Sequence, residues 1–403
     1  MSGVFARLVG QSVVEAELVA AATAARGDFA HDAEISGSMT HAWLITGPPG
    51  SGRSVAALCF AAALQCTDDG VPGCGRCRAC TTTMAGTHGD VRRVIPEGLS
   101  IGVDEMRAIV ATASRRPSTG QWQIVVIEDA DRLTEGAANA LLKVVEEPPP
   151  STVFLLCAPS VDPEDIAVTL RSRCRHVALV TPSADAIAEV LVADGLDAEQ
   201  ARWAASVSGG HVGRARRLAT DPDARSRRTR ALGLARDAAT PARAYAAVEE
   251  LIATVDAEAR ALTEGRNEAE TEELRTALGA GGTGKGAAGA LRGAAGALKD
   301  LEKRQKSRHT RASRDALDRA LIDLGTYFRD ALMVASGAAG VEANHPDMAD
   351  KAAALAAHAS ADRLLRCIEA ILACREALAM NVKPKFAVDA LVATMGQQLR
   401  GPD

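Results

Sequence analysis

The sequence predicts an α/β chain: a domain built on a parallel sheet and interrupted by a four-cysteine module, then a small helical lid, then an all-α domain. Three observations predict it. Residues up to 178 alternate short apolar strands with helical patterns, the signature of a parallel sheet covered by helices. A glycine-rich loop joins the first of those strands to the helix after it, and beyond Pro182 the periodicity turns helical and stays so.

Taken in order, Ala42-Trp43-Leu44-Ile45 reads as a strand, Val55 to Leu64 as a helix, and Val91 to Ile95 as a strand. Asp104 to Ser114 is helical, Ile124 to Ile127 a strand, Ala137 to Val145 a helix and Val153 to Leu156 a strand. Residues 183–219 are too few for a core of their own and read as a helical lid, with Gly209-Gly210 separating two helices. From 222 the chain is wholly helical, interrupted by a Gly/Ala-rich insertion, Gly279 to Gly296, that lacks large apolar side chains and reads as a loop or weak helix. Long helices resume at Leu301. The basic run Lys303, Arg304, Lys306, Arg308, Arg311 and Arg314 reads as a solvated helix face, diluted by Asp315 and Asp318.

A length of 403 residues admits two to three domains at ~100–200 residues each, and three are expected: 1–178, 179–221 and 222–403. A formal charge of -5 argues against a protein that binds nucleic acid over its whole surface, because neutralising phosphates takes clustered Lys and Arg. No stretch has the length of a membrane span or the layout of a signal peptide, so a soluble, cytoplasmic chain is expected. Nine cysteines are an odd count, and four of them cluster at ligand spacing, which fits a reducing compartment better than a disulfide framework. Aromatic residues make up 3% of the chain, so cores must be built from small aliphatic side chains.

Gly47-Pro48-Pro49-Gly50-Ser51-Gly52-Arg53-Ser54 follows a strand and opens a helix. In that context backbone N–H groups and the helix N-terminus cradle phosphate, and the pattern fits ATP with Mg2+ at every defined position but one. Arg53 stands where a Lys is expected, and its wide planar fork is no substitute for a compact ammonium at the β- and γ-phosphates. An empty turn inherited from a nucleotide-binding ancestor is the competing reading. A second partial match, Gly279 to Gly286, has no strand before it and reads as an accident of composition. After the strand Ile124 to Ile127 comes Glu128-Asp129, the reverse of the Asp-Glu order that holds Mg2+ and orients water. A displacement of ~1 Å can cost ~100-fold in rate.

Cys66, Cys74, Cys77 and Cys80 supply four thiolates, enough for a closed tetrahedral Zn2+ site holding a loop that has no core of its own. An iron–sulfur cluster is the rival, but the further Cys-Pro of a ferredoxin run is replaced by Thr81-Thr82-Thr83-Met84. Ser172-Arg173-Cys174 lies farther along the chain, and on its residues alone it reads as an Arg in a local ion pair.

Together these segments resemble the clamp-loader branch of the AAA+ ATPases, most closely the delta-prime kind of the bacterial DNA polymerase III clamp loader, over nearly the whole chain. Phe5-Ala6-Arg7-Leu8-Val9-Gly10-Gln11 is similar to the family's N-terminal box near the adenine pocket. Asn139-Ala140-Leu141-Leu142-Lys143-Val144-Val145-Glu146-Glu147-Pro148-Pro149 is similar to the helix after the acidic motif. Asn381 to Leu391 is similar to the last helix of the oligomerising collar. The resemblance implies a P-loop domain with a zinc module, a lid and a collar. It also implies that Arg173 acts as an arginine finger in a neighbour's ATP site and that Arg214 occupies the sensor-2 position. Implied partners are gamma/tau and delta subunits in a hetero-pentamer, the sliding clamp, and primed DNA reached through the assembled complex. Arg53, the reversed Glu128-Asp129, Cys157-Ala158-Pro159 in the sensor-1 neighbourhood and the short segment before Gln11 depart from the gamma/tau kind and favour delta-prime. They imply weak or absent ATPase in this chain, the alternative being an active ATPase of the gamma/tau kind.

Overall fold

The computed structural model describes residues 3–27, 39–278, 287–338 and 340–400. Contacts divide the chain into two compact units, the first comprising Met1–Pro96 with Ser100–Ala219 and the second Glu97–Leu99 with Thr220–Asp403.

The first unit is built on five strands, β1 (Ala42–Thr46), β2 (Val91–Val94), β3 (Gln123–Ile127), β4 (Thr152–Ala158) and β5 (Arg175–Ala178), in the spatial order β2-β3-β4-β1-β5. Every pairing is parallel. The central strands are buried along their whole length because successive side chains point to opposite faces and both faces are covered. Trp43, Ile45, Ile124, Val126, Val153, Leu155 and Cys157 face one core, which includes α1 (Ser12–Gly27) and α2 (Arg53–Leu64). Leu44, Val125, Ile127, Phe154 and Leu156 face the other, packed by α4 (Val103–Ala113) and α5 (Glu135–Glu146). Between α2 and β2 lies α3 (Arg78–Met84), inside the cysteine module, and α6 (Val168–Arg171) leads into β5. This is the sheet the resemblance implies. β5 and α1 were not expected; Arg175-His176-Val177-Ala178 is too short and polar to announce a strand.

The helices expected as a lid are α7 (Ala184–Ala193), α8 (Ala198–Ser206) and α9 (Val212–Thr220). Ser183 and Asp197 cap the first two by accepting hydrogen bonds from the amides of Ala186 at 3.2 Å and Gln200 at 3.1 Å, each cap worth ~1 kcal/mol. Gly209 and Gly210 both take positive φ between α8 and α9, as a break between two helices requires.

The second unit is helical: α10 (Pro222–Asp237), α11 (Pro241–Ala277), α12 (Ala287–Ala335), α13 (Ala349–His358), α14 (Ala361–Ala379) and α15 (Pro384–Leu399). Two expectations need correction here. The helix expected from Leu301 begins at Ala287, so part of the Gly/Ala-rich insertion is helical, while residues 279–286 lie outside the described residues. The basic run is not one solvated face. Arg308 is buried and pairs with Glu97 and Glu270, both at 3.0 Å, and Arg314 donates to the Asn381 side chain at 2.9 Å. Only Lys303, Arg304 and Lys306 are exposed. Among the described residues no helix is long and apolar enough to cross a membrane.

A buried polar knot fixes the loop after α12. Arg228, itself buried, donates to both carboxylate oxygens of Asp347 at 2.7 and 2.9 Å and to His345 Nδ1 at 2.7 Å. His345 Nε2 faces Thr326 Oγ1 at 2.8 Å, and the buried Asp330 accepts from the His345 amide at 2.8 Å. Burial, and then the Arg228 charge, hold the imidazole below its usual range although Asp323, Asp330 and Asp347 oppose them. The unfolded chain therefore takes up the proton first. Stability tied to His345 is complete above ~6.5 and falls as the pH drops below that value, by at most ~1.4 kcal/mol per pH unit. Hydrogen exchange over residues 220–400 is expected to accelerate between pH 7.5 and 5.5 relative to the intrinsic rate, and this excess should disappear in His345→Gln.

Candidate functional site

Residues 47–54 leave the C-terminal end of β1 and enter α2, with Gly47, Gly50 and Gly52 all at positive φ. Gly50 cannot be replaced without moving the chain, because a Cβ there would run into His211, the residue before α9. The Arg214 amide donates to His211 Nδ1 at 3.2 Å, so the residue that lies against Gly50 also closes the first turn of α9. Ser51 Oγ and Arg53 Nη1 are buried without a hydrogen-bond partner. A phosphate would satisfy both, so the cradle fits an anion.

The acidic end of β3 fits a metal ion less well. Glu128, which stands in the reversed acidic pair where an Asp would hold Mg2+, is bound by Arg93 of β2, whose Nη2 lies 2.6 Å and Nε 2.8 Å from its Oε1. The parallel register that sets Val94 against Ile127 brings the two side chains together. Burial, and then the charge of Asp129, raise the Asp131 carboxyl, with Arg132 and Arg53 opposing. Cys157 sits fully buried at the end of β4, within the electrostatic reach of Arg53, Glu128, Asp129 and Asp131, and burial pushes its thiol up. The expected loop, acidic and lid residues thus converge on one end of the sheet, and Arg53 brings to it a fixed positive charge.

Arg173 is at the other end. Arg175 stands opposite Trp43 and Ala178 opposite Thr46, so Arg173 precedes β5 on the side where β1 starts, while the phosphate loop leaves where β1 stops. The three-residue span of β5 alone separates them by ~10 Å. Arg173 Nη2 pairs with Glu146 Oε1 at 2.5 Å, and Nη1 donates to the Thr169 carbonyl at 2.9 Å and to Ser172 Oγ at 3.2 Å. The side chains of Arg173 and Glu146 are 38% and 41% exposed, and such surface pairs are worth ~0–1 kcal/mol. The guanidinium is therefore held but readily transferred. By contrast Arg175 is pinned, 2.8 Å from Glu17 and stacked over Trp43 with its Cζ 4.9 Å from the ring centroid.

The four expected cysteine ligands come together, their sulfurs all within 4.8 Å of one another. Cys66 and Cys77 sulfurs are 4.0 Å apart, close to the ~3.8 Å edge of a tetrahedron with Zn–S bonds of ~2.3 Å. Amides of Cys77 and Cys80 donate to the sulfurs of Cys74 and Cys77 at 3.3 and 3.4 Å. Burial works against a Cys77 thiolate, but the backbone hydrogen bond from Cys80 and others bring its pKa down to about 6. Burial pushes Cys80 up, and the Cys77 and Cys66 sulfurs add to the rise. Four sulfurs this close cannot all be charged without a cation between them, and the donor set fits Zn2+. His211, Glu146 and Arg93 were not expected from the sequence. None of the three carried a signal in the sequence, since each reaches the site only through the fold.

Models of two segments described as "DNA polymerase III, delta subunit" and "DNA polymerase III, delta subunit, C terminal" match residues 28–183 and 313–384. The DNA polymerase III subunit delta' of Escherichia coli is 39% identical over 145 residues, covering 35% of this chain and 43% of that protein. The delta' of Bacillus subtilis is 31% identical over 170 residues, 42% of this chain and 51% of its own length. The tau subunit of Bacillus subtilis is 36% identical over 146 residues, 36% of this chain and 25% of its own. The chain thus spans about half the length of the delta' proteins it matches. The first matching segment carries the sheet, the phosphate loop, the cysteine cluster and the Ser-Arg-Cys turn, and the second lies among the second unit's helices, so over these segments the chain resembles the delta-prime subunits of DNA polymerase III.

Proposed function

We propose that this chain is the delta-prime subunit of a cytoplasmic DNA polymerase III clamp loader. It assembles with gamma/tau and delta subunits and helps load the sliding clamp onto primed DNA. It supplies Arg173 to a neighbour's ATP site and turns over little or no ATP itself. The observation that carries this reading is the placement of Arg173. It lies at the end of the sheet away from its own phosphate loop, half-exposed, in an ion pair weak enough to exchange for phosphate, so it can serve only a nucleotide outside its own chain. An arginine supplied in this way stabilises charge on the γ-phosphoryl group. The Glu128–Arg93 pair and Arg53 in the loop support a weak site of its own. Zn2+ on Cys66, Cys74, Cys77 and Cys80 is structural, and the helices from Pro222 onward form the oligomerising collar.

The test is reconstitution. Adding this chain to the gamma/tau and delta proteins of the same genome is expected to raise ATP turnover and clamp loading above the mixture without it. No rise in either would contradict the reading.

A further inference from the structure

We propose that the cysteine module positions the phosphate loop, acting through the N-terminal turn and Gln11. This rests on reading the four cysteines as a metal site, and its path lies within the first unit. A 3-10 turn, Val4–Arg7, is fastened at one end to the module and to α2: the Val4 amide donates to the Gly73 carbonyl at 2.9 Å, and Cys59 of α2 donates to the Val4 carbonyl at 3.0 Å. Gly73, between ligands Cys66 and Cys74, has a φ of +86° and no space for a side chain. A Cβ there would lie 2.9 Å from Val4 Cγ2 and 3.1 Å from the Phe5 ring, both residues being buried. The module is also tied to α1, because Arg26 donates to the carbonyls of Gly70 at 2.7 Å and Cys66 at 3.2 Å.

At the other end of this short segment stands Gln11, 4% exposed. Its Nε2 donates to the Val180 carbonyl at 2.6 Å and to the Ser51 carbonyl at 3.4 Å, and its Oε1 accepts from the Val180 amide at 3.1 Å. One buried amide therefore spans the phosphate loop and the segment leading from β5 to the lid. A carboxamide suits this place because it offers a donor and an acceptor at once. The module has few apolar residues of its own, so removing its metal releases Gly73. Val4 then loses its partner, and the positions of Gln11 and Ser51 are no longer set from that side.

Hydrogen exchange on the full chain, with metal content measured in parallel, tests the path. Stripping the metal with a chelator is expected to speed exchange at least tenfold over residues 4–11 and 47–54 as well as within 66–84. Gly73→Ala should do the same at 4–11 and 47–54 while still binding one zinc. Gln11→Ala should keep the metal and the slow exchange of residues 4–8, yet speed 47–54 and 180–182. Unchanged exchange at 47–54 in the stripped chain and in Gly73→Ala would overturn the proposal. A wild-type chain without metal would sink the zinc reading alone, since Gly73→Ala and Gln11→Ala would still decide the coupling.

Discussion

Replacing Arg173 with Ala is expected to leave the chain folded and assembled but to depress ATP turnover of the complex, with ~10³–10⁵ lost at the site the arginine faces. The side chain is half-exposed and its ion pair with Glu146 contributes little to folding, so stability should move by less than ~1 kcal/mol. The loss should fall on kcat, since charge builds on the γ-phosphoryl group as the bond breaks. Arg173→Lys should recover only part of it, because an ammonium lacks the planar fork. Turnover equal to wild type in the assembled Arg173→Ala complex would remove the finger assignment and leave Arg173 as a surface ion pair.

The second large effect concerns the metal. Replacing Cys77 and Cys80 with Ser is expected to release one zinc per chain and to destabilise the first unit. Structural zinc supplies ~10–16 kcal/mol to isolated finger peptides. Here the module also leans on α1 and the N-terminal turn, so only part of that is lost. A loss of ~3 kcal/mol lowers the midpoint of a unit this size by roughly 6–12 °C. Elemental analysis and a thermal scan followed by Trp43 and Trp122 fluorescence, both residues being in the first unit's core, would check this. Iron in the wild type, or an unchanged midpoint, would overturn the site.

Much of this was legible in the sequence, for physical reasons. Strands β1, β3 and β4 are short apolar runs because both faces of a parallel sheet are buried. The cysteine spacing forces four sulfurs into one small volume, and the glycines of residues 47–54 answer to positive φ. Side chains that meet only through the fold were not legible. Arg93 and Glu128 are far apart in sequence and meet because β2 pairs with β3. Arg173 and Glu146 meet because α6 returns beside the end of α5. Arg308 looked like one more solvated cation until Glu97 and Glu270 closed around it. The opposition of Arg173 to its own phosphate loop also needed the β1–β5 register, and β5 gave no periodic signal.

The proposed division of labour, a finger given to a neighbour and a disabled site retained, is tested most directly by steady-state ATP turnover of the purified chain alone, with Mg2+ and saturating ATP. The account predicts none above background, because Glu128 is bound by Arg93 and Arg53 replaces the loop lysine. Clear turnover that Ser54→Ala abolishes would contradict it and make this chain an ATPase in its own right.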